Sequence, residues 1–100
     1  MSKKAIIIGG GIGGLGTACL LGQRGYDVTL FEKNEQLGGR ASVFEAKGYT
    51  FDMGPSWYLM PDLFAHFFSL LGERVEDHLT LQKLAPSYRI FFKNKEKFFV

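Results

Sequence analysis

The chain has 100 residues, 46% of them hydrophobic and 22% charged, with a formal net charge of +2. This size and balance describe one globular domain or part of one, and exclude disorder by composition. So small a charge, with no basic cluster, excludes nucleic acid as a partner class. The single Cys19 excludes an internal disulfide and suits a reducing, cytoplasmic compartment.

Ala5-Ile6-Ile7-Ile8 is an apolar run without alternation. Such a run suits a parallel strand covered on both faces, so it predicts sheet neighbours and a helix on each side. Gly9-Gly10-Gly11-Ile12-Gly13-Gly14 follows directly, with Gly9, Gly11 and Gly14 in G-x-G-x-x-G register. A helix is expected from about Ile12 to Arg24, with Leu15, Ala18, Cys19 and Leu21 or Gly22 toward the sheet. Cys19 reads there as a small packing residue. Gly25 would stop this helix in the left-handed conformation, with Arg24 near its negative end. Asp27 to Glu32 is the second strand, set beside the first by a right-handed crossover.

Lys3-Lys4 before the uncharged residues 5–22 also has the outline of a signal peptide. Seven of those eighteen residues are glycine, which weakens helix formation and membrane partition. Helical spacing also continues past any plausible cleavage site, so the segment reads as mature structure.

Residues 33–42 read as a loop containing Gly38-Gly39-Arg40. Val43–Glu45 and Tyr49–Asp52 predict an antiparallel pair turning at Lys47-Gly48. Met53-Gly54-Pro55-Ser56 is a turn. Pro61 can open a helix that runs to Leu71 and stops at Gly72, with Leu63, Phe64, Phe67, Phe68, Leu70 and Leu71 on its apolar face. From Val75 onward short strands are expected at Leu79–Leu84, Tyr88–Phe92 and Lys97–Val100, with a polar turn at Lys93–Glu96. Two parallel strands and one helix cannot cover both faces of such a sheet. The fold expected is therefore α/β, a Rossmann-like βαβ unit followed by antiparallel strands and a helix, forming the N-terminal part of a larger protein. The division expected is 1–72 for nucleotide binding and 73–100 for the start of a β segment of a substrate domain.

The fingerprint carries the chemistry. Gly9 permits a tight turn, Gly11 lets backbone approach a pyrophosphate, and Gly14 lets helix pack on strand, with Ile12 and Gly13 inside the same loop. The helix start adds unpaired N–H groups and a positive dipole end. Glu32 lies eighteen residues beyond Gly14 at the carboxyl end of the second strand. There an acid can accept the ribose hydroxyls, and it disfavours a 2′-phosphate, hence NADP. Neither feature separates NAD from FAD.

Glu32-Lys33-Asn34-Glu35-Gln36-Leu37-Gly38-Gly39-Arg40 resembles the acid-to-Gly-Gly-Arg continuation of glutathione-reductase-like FAD proteins, in the branch with amine oxidases and carotenoid desaturases. That resemblance implies FAD, with Gly38 and Gly39 bringing backbone to the cofactor and Arg40 near its phosphates and flavin end. Gly48-Tyr49-Thr50-Phe51-Asp52-Met53-Gly54-Pro55-Ser56-Trp57 is similar to the segment bacterial-type phytoene desaturases carry next, which brings Gly54, Pro55 and Ser56 toward the flavin. Arg40–Phe44, Met60–Phe64 and Pro86–Phe92 resemble the same family. The resemblance implies an FAD-dependent enzyme that introduces double bonds into a carotenoid polyene by hydride transfer to flavin, peripheral to a membrane. A carotenoid isomerase, retinol saturase or amine oxidase would share residues 5–40, and a prenyl-binding protein of the Rab escort type is the non-catalytic rival.

No nucleophile–base arrangement and no metal-ligand spacing appears, and catalytic residues are expected beyond Val100. His66 and His78 read as packing and surface residues. Phenylalanines at helical spacing are ordinarily core; a polyene route or a membrane surface is the alternative for Phe64, Phe67 and Phe68. Trp57 and Tyr58 are open between substrate contact and packing.

Overall fold

The structure is a computed structural model that describes residues 3–93 and the backbone of 97–99. Strand β1 (Lys4–Ile8) leads through the glycine turn into helix α1 (Ile12–Gln23), and α1 returns to β2 (Asp27–Phe31). The two strands pair in parallel, Lys4 opposite Asp27 through Ile8 opposite Phe31. This is the βαβ unit expected from the alternation of apolar run, glycine turn and helix.

Helix α1 ends as Gly25 predicts. Gly25 takes φ +84, its N–H donates to the Gly22 carbonyl, and the Tyr26 N–H donates to Leu21. These bonds satisfy the last carbonyls of the helix in a Schellman arrangement. Helix α2 (Pro61–Leu70) ends identically, with Gly72 at φ +74 and the Glu73 N–H on the Phe68 carbonyl. Between the helices, β3 (Val43–Ala46) and β4 (Tyr49–Asp52) form an antiparallel hairpin. Its two turn residues, Lys47 and Gly48, both have positive φ, which matches the twist of the flanking strands.

The strand pair is covered on one face, as expected of two strands and one helix, and two other expectations are corrected. Helix α1 covers one face of the β1–β2 pair, leaving Ala5, Ile7, Val28 and Leu30 half-buried, while Ile6, Ile8 and Phe31 on the other face are exposed. An unbroken apolar run encodes cover on both sides, and the described residues supply it on one. Cys19 is exposed rather than packed on the sheet, and Leu15, also expected toward the sheet, lines a groove facing α2. The half-buried Gly14, Ala18 and Leu21 share one face at i, i+4 and i+7, whereas Ile12, Leu15, Gly16 and Cys19 share a second face at i, i+3, i+4 and i+7. Leu79–Leu84 pairs with no described strand, and Val75–Asp77 is a 3-10 turn. Alternation sets which side chains could share a face, but a strand also needs a partner for its N–H and C=O groups.

Strand β5 (Arg89–Phe91) pairs antiparallel with β6 (Lys97–Phe99). Of the expected turn at Lys93–Glu96, residues 94–96 lie outside the described residues, as does the strand end at Val100. Among the described residues Val75 is the one buried apolar side chain. The radius of gyration is 18.4 Å, against about 13 Å for a compact domain of this length. No described helix is long and apolar enough to cross a membrane.

Candidate dinucleotide-binding site

The site forms where β1, β2 and the loop after β2 converge on the glycine turn. The Gly9 N–H donates to the Phe31 carbonyl at 2.7 Å, which carries the parallel ladder one residue past β1. Gly9 then takes φ +105, a conformation that glycine alone adopts readily. At Gly10 the chain is fixed on both sides. Its N–H donates to the Glu32 carboxylate at 2.6 Å, and its carbonyl accepts the Gly38 N–H at 2.7 Å. Gly10 is buried, and a Cβ there would sit 2.6 Å from Leu37 Cδ2 and 3.1 Å from Glu32 Oε2.

Gly11 caps α1 with extended backbone and no side-chain hydrogen bond, and the first turn carries no acid. The positive end of the helix is thus left to whatever anion meets it. Cβ atoms placed on Gly11 or Gly13 would meet nothing within 4 Å. Packing among the described residues therefore does not demand glycine at these two positions, while a ligand lying close against the backbone would. Gly14 is different: a Cβ there would overlap the Gly9 carbonyl oxygen. That contact is the close helix-to-strand approach expected of the third fingerprint glycine.

Glu32 follows β2 directly and reaches back across the turn. One carboxylate oxygen accepts the Asn34 N–H at 3.1 Å and the other the Gly10 N–H. These two backbone donors hold its carboxyl below the usual value for a glutamate, with neighbouring Lys33 acting in the same direction. The group is ionised at neutral pH.

The Gly-Gly-Arg loop docks on the same turn. Gly38 and Gly11 form an isolated parallel bridge, and a Cβ on Gly39 would lie 3.1 Å from Gly11 Cα. Gly38 and Gly39 both have positive φ. Arg40 is exposed, and its carbonyl lies where a Cβ on Gly54 would be. The structure therefore joins Gly9, Gly11, Gly14, Glu32, Gly38 and Gly39 into one assembly, and ties Gly54 to it through Arg40. Ile12 faces a groove between the helices, Lys33 is exposed, and Pro55 and Ser56 line a separate hollow with Trp57 and Leu59. Sequence reasoning missed Gly10 and Asn34, the two donors to Glu32. The burial of Gly10 leaves no trace in a motif that treats its position as free.

Beside this assembly, Ile12, Leu15, Gly16 and Cys19 of α1 face Met60, Leu63, Phe64, Phe67 and Phe68 across a cavity of about 400 Å³. The phenylalanines are half-buried there, and the Phe67 ring lies over Gly16. Trp57 stacks on Tyr88 with ring centroids 5.3 Å apart, and Tyr58 packs on Phe64. His78 lies 3.1 Å from Glu73 at the surface, and His66 is exposed. Among the described residues, no group of His, Cys, Asp and Glu is gathered to hold a metal.

Residues 7–73 match the NAD(P)-binding Rossmann-like domain family. The chain is 58% identical over 95 residues to a carotenoid 3,4-desaturase of Haloarcula japonica, covering 95% of this chain and 19% of that protein. It is 40% identical over 93 residues to a zeta-carotene-forming phytoene desaturase of Myxococcus xanthus, covering 93% and 18%. It is 43% identical over 94 residues to a 4,4'-diaponeurosporene oxygenase of Staphylococcus haemolyticus, covering 94% and 19%. The chain spans about a fifth of the length of these relatives. The parallel βαβ unit, the glycine turn capped by Glu32 and the match over residues 7–73 agree, and the chain belongs to the NAD(P)-binding Rossmann-like domain family.

Proposed function

We propose that this chain is the FAD-binding part of a carotenoid desaturase, an oxidoreductase that introduces double bonds into a polyene of the phytoene class. The observation that carries this reading is the docking of Gly38 and Gly39 against Gly10 and Gly11. A fingerprint turn alone suits any dinucleotide, and a second glycine loop laid on it widens the backbone surface toward the cofactor beyond the turn itself. The open space above Gly11 and Gly13 and the uncompensated start of α1 fit a pyrophosphate. Each Glu32 oxygen uses one lone pair on a backbone N–H and keeps another for a ribose hydroxyl. Its negative charge opposes a 2′-phosphate. Arg40 would meet the phosphates. When bound, the flavin would supply the acceptor for the hydride removed from the polyene. The residues described here would bind and orient it, in a reaction whose substrate offers no heteroatom for a catalytic group to grip.

The names of the desaturase relatives support the substrate class. The oxygenase relative favours one second reading, a flavin-dependent oxygenase acting on the same kind of polyene. Such a substrate partitions into lipid, so the protein is proposed to be cytoplasmic and peripheral to a membrane. The family match ending at residue 73 supports taking 1–72 as the nucleotide-binding region, with a substrate-domain segment following. The test is to purify the protein that carries this chain, record its absorbance, and analyse pigments after co-expression with a phytoene-producing pathway. Flavin absorbance with more unsaturated products is expected. A folded, flavin-free protein would refute the cofactor assignment, and oxygenated products would select the second reading.

A further inference from the structure

We propose that Glu32 is a positioning residue for the glycine turn, fastening Gly10 and Asn34 in place before any cofactor arrives. This rests on reading that turn as the pyrophosphate site. The fastening is visible in the bonding of Gly10. Gly10 is buried, so its N–H needs an acceptor inside the protein. The acceptor supplied is a carboxylate oxygen 2.6 Å away rather than a backbone carbonyl. The Gly10 carbonyl is taken by Gly38, so both peptide planes around the residue are pinned from separate chain segments. The other Glu32 oxygen holds the Asn34 N–H, at the start of the loop that delivers Gly38 and Gly39. One carboxylate thus ties together the two loops between which the backbone surface of the site forms. A ribose contact alone would need neither of these bonds. Leu37, whose methyl lies 2.6 Å from where a Gly10 Cβ would be, covers the same spot, and the Gly10–Glu32 bond is part-buried.

The experiment compares wild type, Glu32→Gln and Glu35→Gln in the protein that carries this chain, after removal of cofactor. Glutamine keeps the size but turns one acceptor into a donor and removes the charge. The first measurement is hydrogen exchange of the cofactor-free proteins. Glu32→Gln should speed exchange in peptides covering residues 9–14 and 33–38 while leaving α2 unchanged, and Glu35→Gln should alter neither. The second measurement is the affinity for FAD and for an FAD analogue whose adenosine ribose lacks both the 2′ and 3′ hydroxyls. Since charge-assisted hydrogen bonds are the strong ones, Glu32→Gln should weaken the analogue by about tenfold or more relative to wild type. Unchanged exchange, or a Glu32→Gln loss confined to FAD with its hydroxyls, would overturn the positioning role. Faster exchange in a protein whose wild type binds neither ligand would uphold it and refute the cofactor assignment instead.

Discussion

Two glycines in α1 offer a matched pair of substitutions with opposite expected outcomes. A Cβ on Gly14 would overlap the Gly9 carbonyl oxygen, lie 3.1 Å from the Gly9 carbonyl carbon, and touch Ile7 Cγ2 at 3.5 Å. The first two are backbone atoms of a peptide fixed by the Gly9 N–H on Phe31 and the Gly10 N–H on Glu32, so the helix must move off the strand to admit the methyl. A Cβ on Gly22, in the same helix, would meet nothing within 4 Å. Both Gly14→Ala and Gly22→Ala gain helix propensity, up to about 1 kcal/mol each, and this gain cancels between them. Overpacking of a close contact costs about 1–3 kcal/mol. Denaturant unfolding should therefore place Gly22→Ala at or above wild type and Gly14→Ala below Gly22→Ala by about 1–3 kcal/mol. On the proposed reading, FAD affinity should fall for Gly14→Ala alone, because the moved helix carries its N-terminal N–H groups with it. Equal stability of the two variants, or FAD affinity unaffected by Gly14→Ala, would refute the packing argument.

The carboxyl of Glu32 is depressed below its ordinary value of 4.5, so its contribution is complete above that value and lost as pH falls through the lower, folded-state value. Cofactor release followed against pH should show a step below 4.5 that Glu32→Gln removes, with the variant already weak at neutral pH. A Cβ on Gly54 would overlap the Arg40 carbonyl. Gly54→Ala should therefore push the 53–56 segment off the Gly-Gly-Arg loop and cost about 1–3 kcal/mol of stability, read by denaturant unfolding, together with a weaker FAD dissociation constant.

The elements that carry local signals were legible in the sequence. The apolar run, the glycines at positions 9, 11 and 14, and Gly25 and Gly72 after the helices each act through their own backbone or their immediate neighbours. They fixed β1, α1, β2 and α2 to within a residue or two. The hairpin was equally readable, since Lys47-Gly48 can turn only a short antiparallel pair. Long-range relations were less readable. The alternation at Leu79–Leu84 describes side chains and says nothing about a pairing partner. The two apolar faces of α1 cannot be ranked from sequence alone, which is why Leu15 and Cys19 lie on the face opposite to the one expected. Within the site, Glu32 was identified by its distance from Gly14. Its bonds to Gly10 and Asn34 depend on how the turn folds over the end of β2, and no spacing rule encodes that.

Around the glycine turn, three directional polar bonds join the segments of the site: Gly10 N–H to Glu32, Asn34 N–H to Glu32 and Gly38 N–H to the Gly10 carbonyl. Regions fastened in this way open by local fluctuation more readily than those backed by a dense core. A dinucleotide that binds only the closed arrangement would add stability by mass action, about 2.7 kcal/mol at a free concentration a hundredfold above its dissociation constant. Such a ligand would then protect the 9–14 and 33–38 backbone against local opening without adding a contact inside the chain.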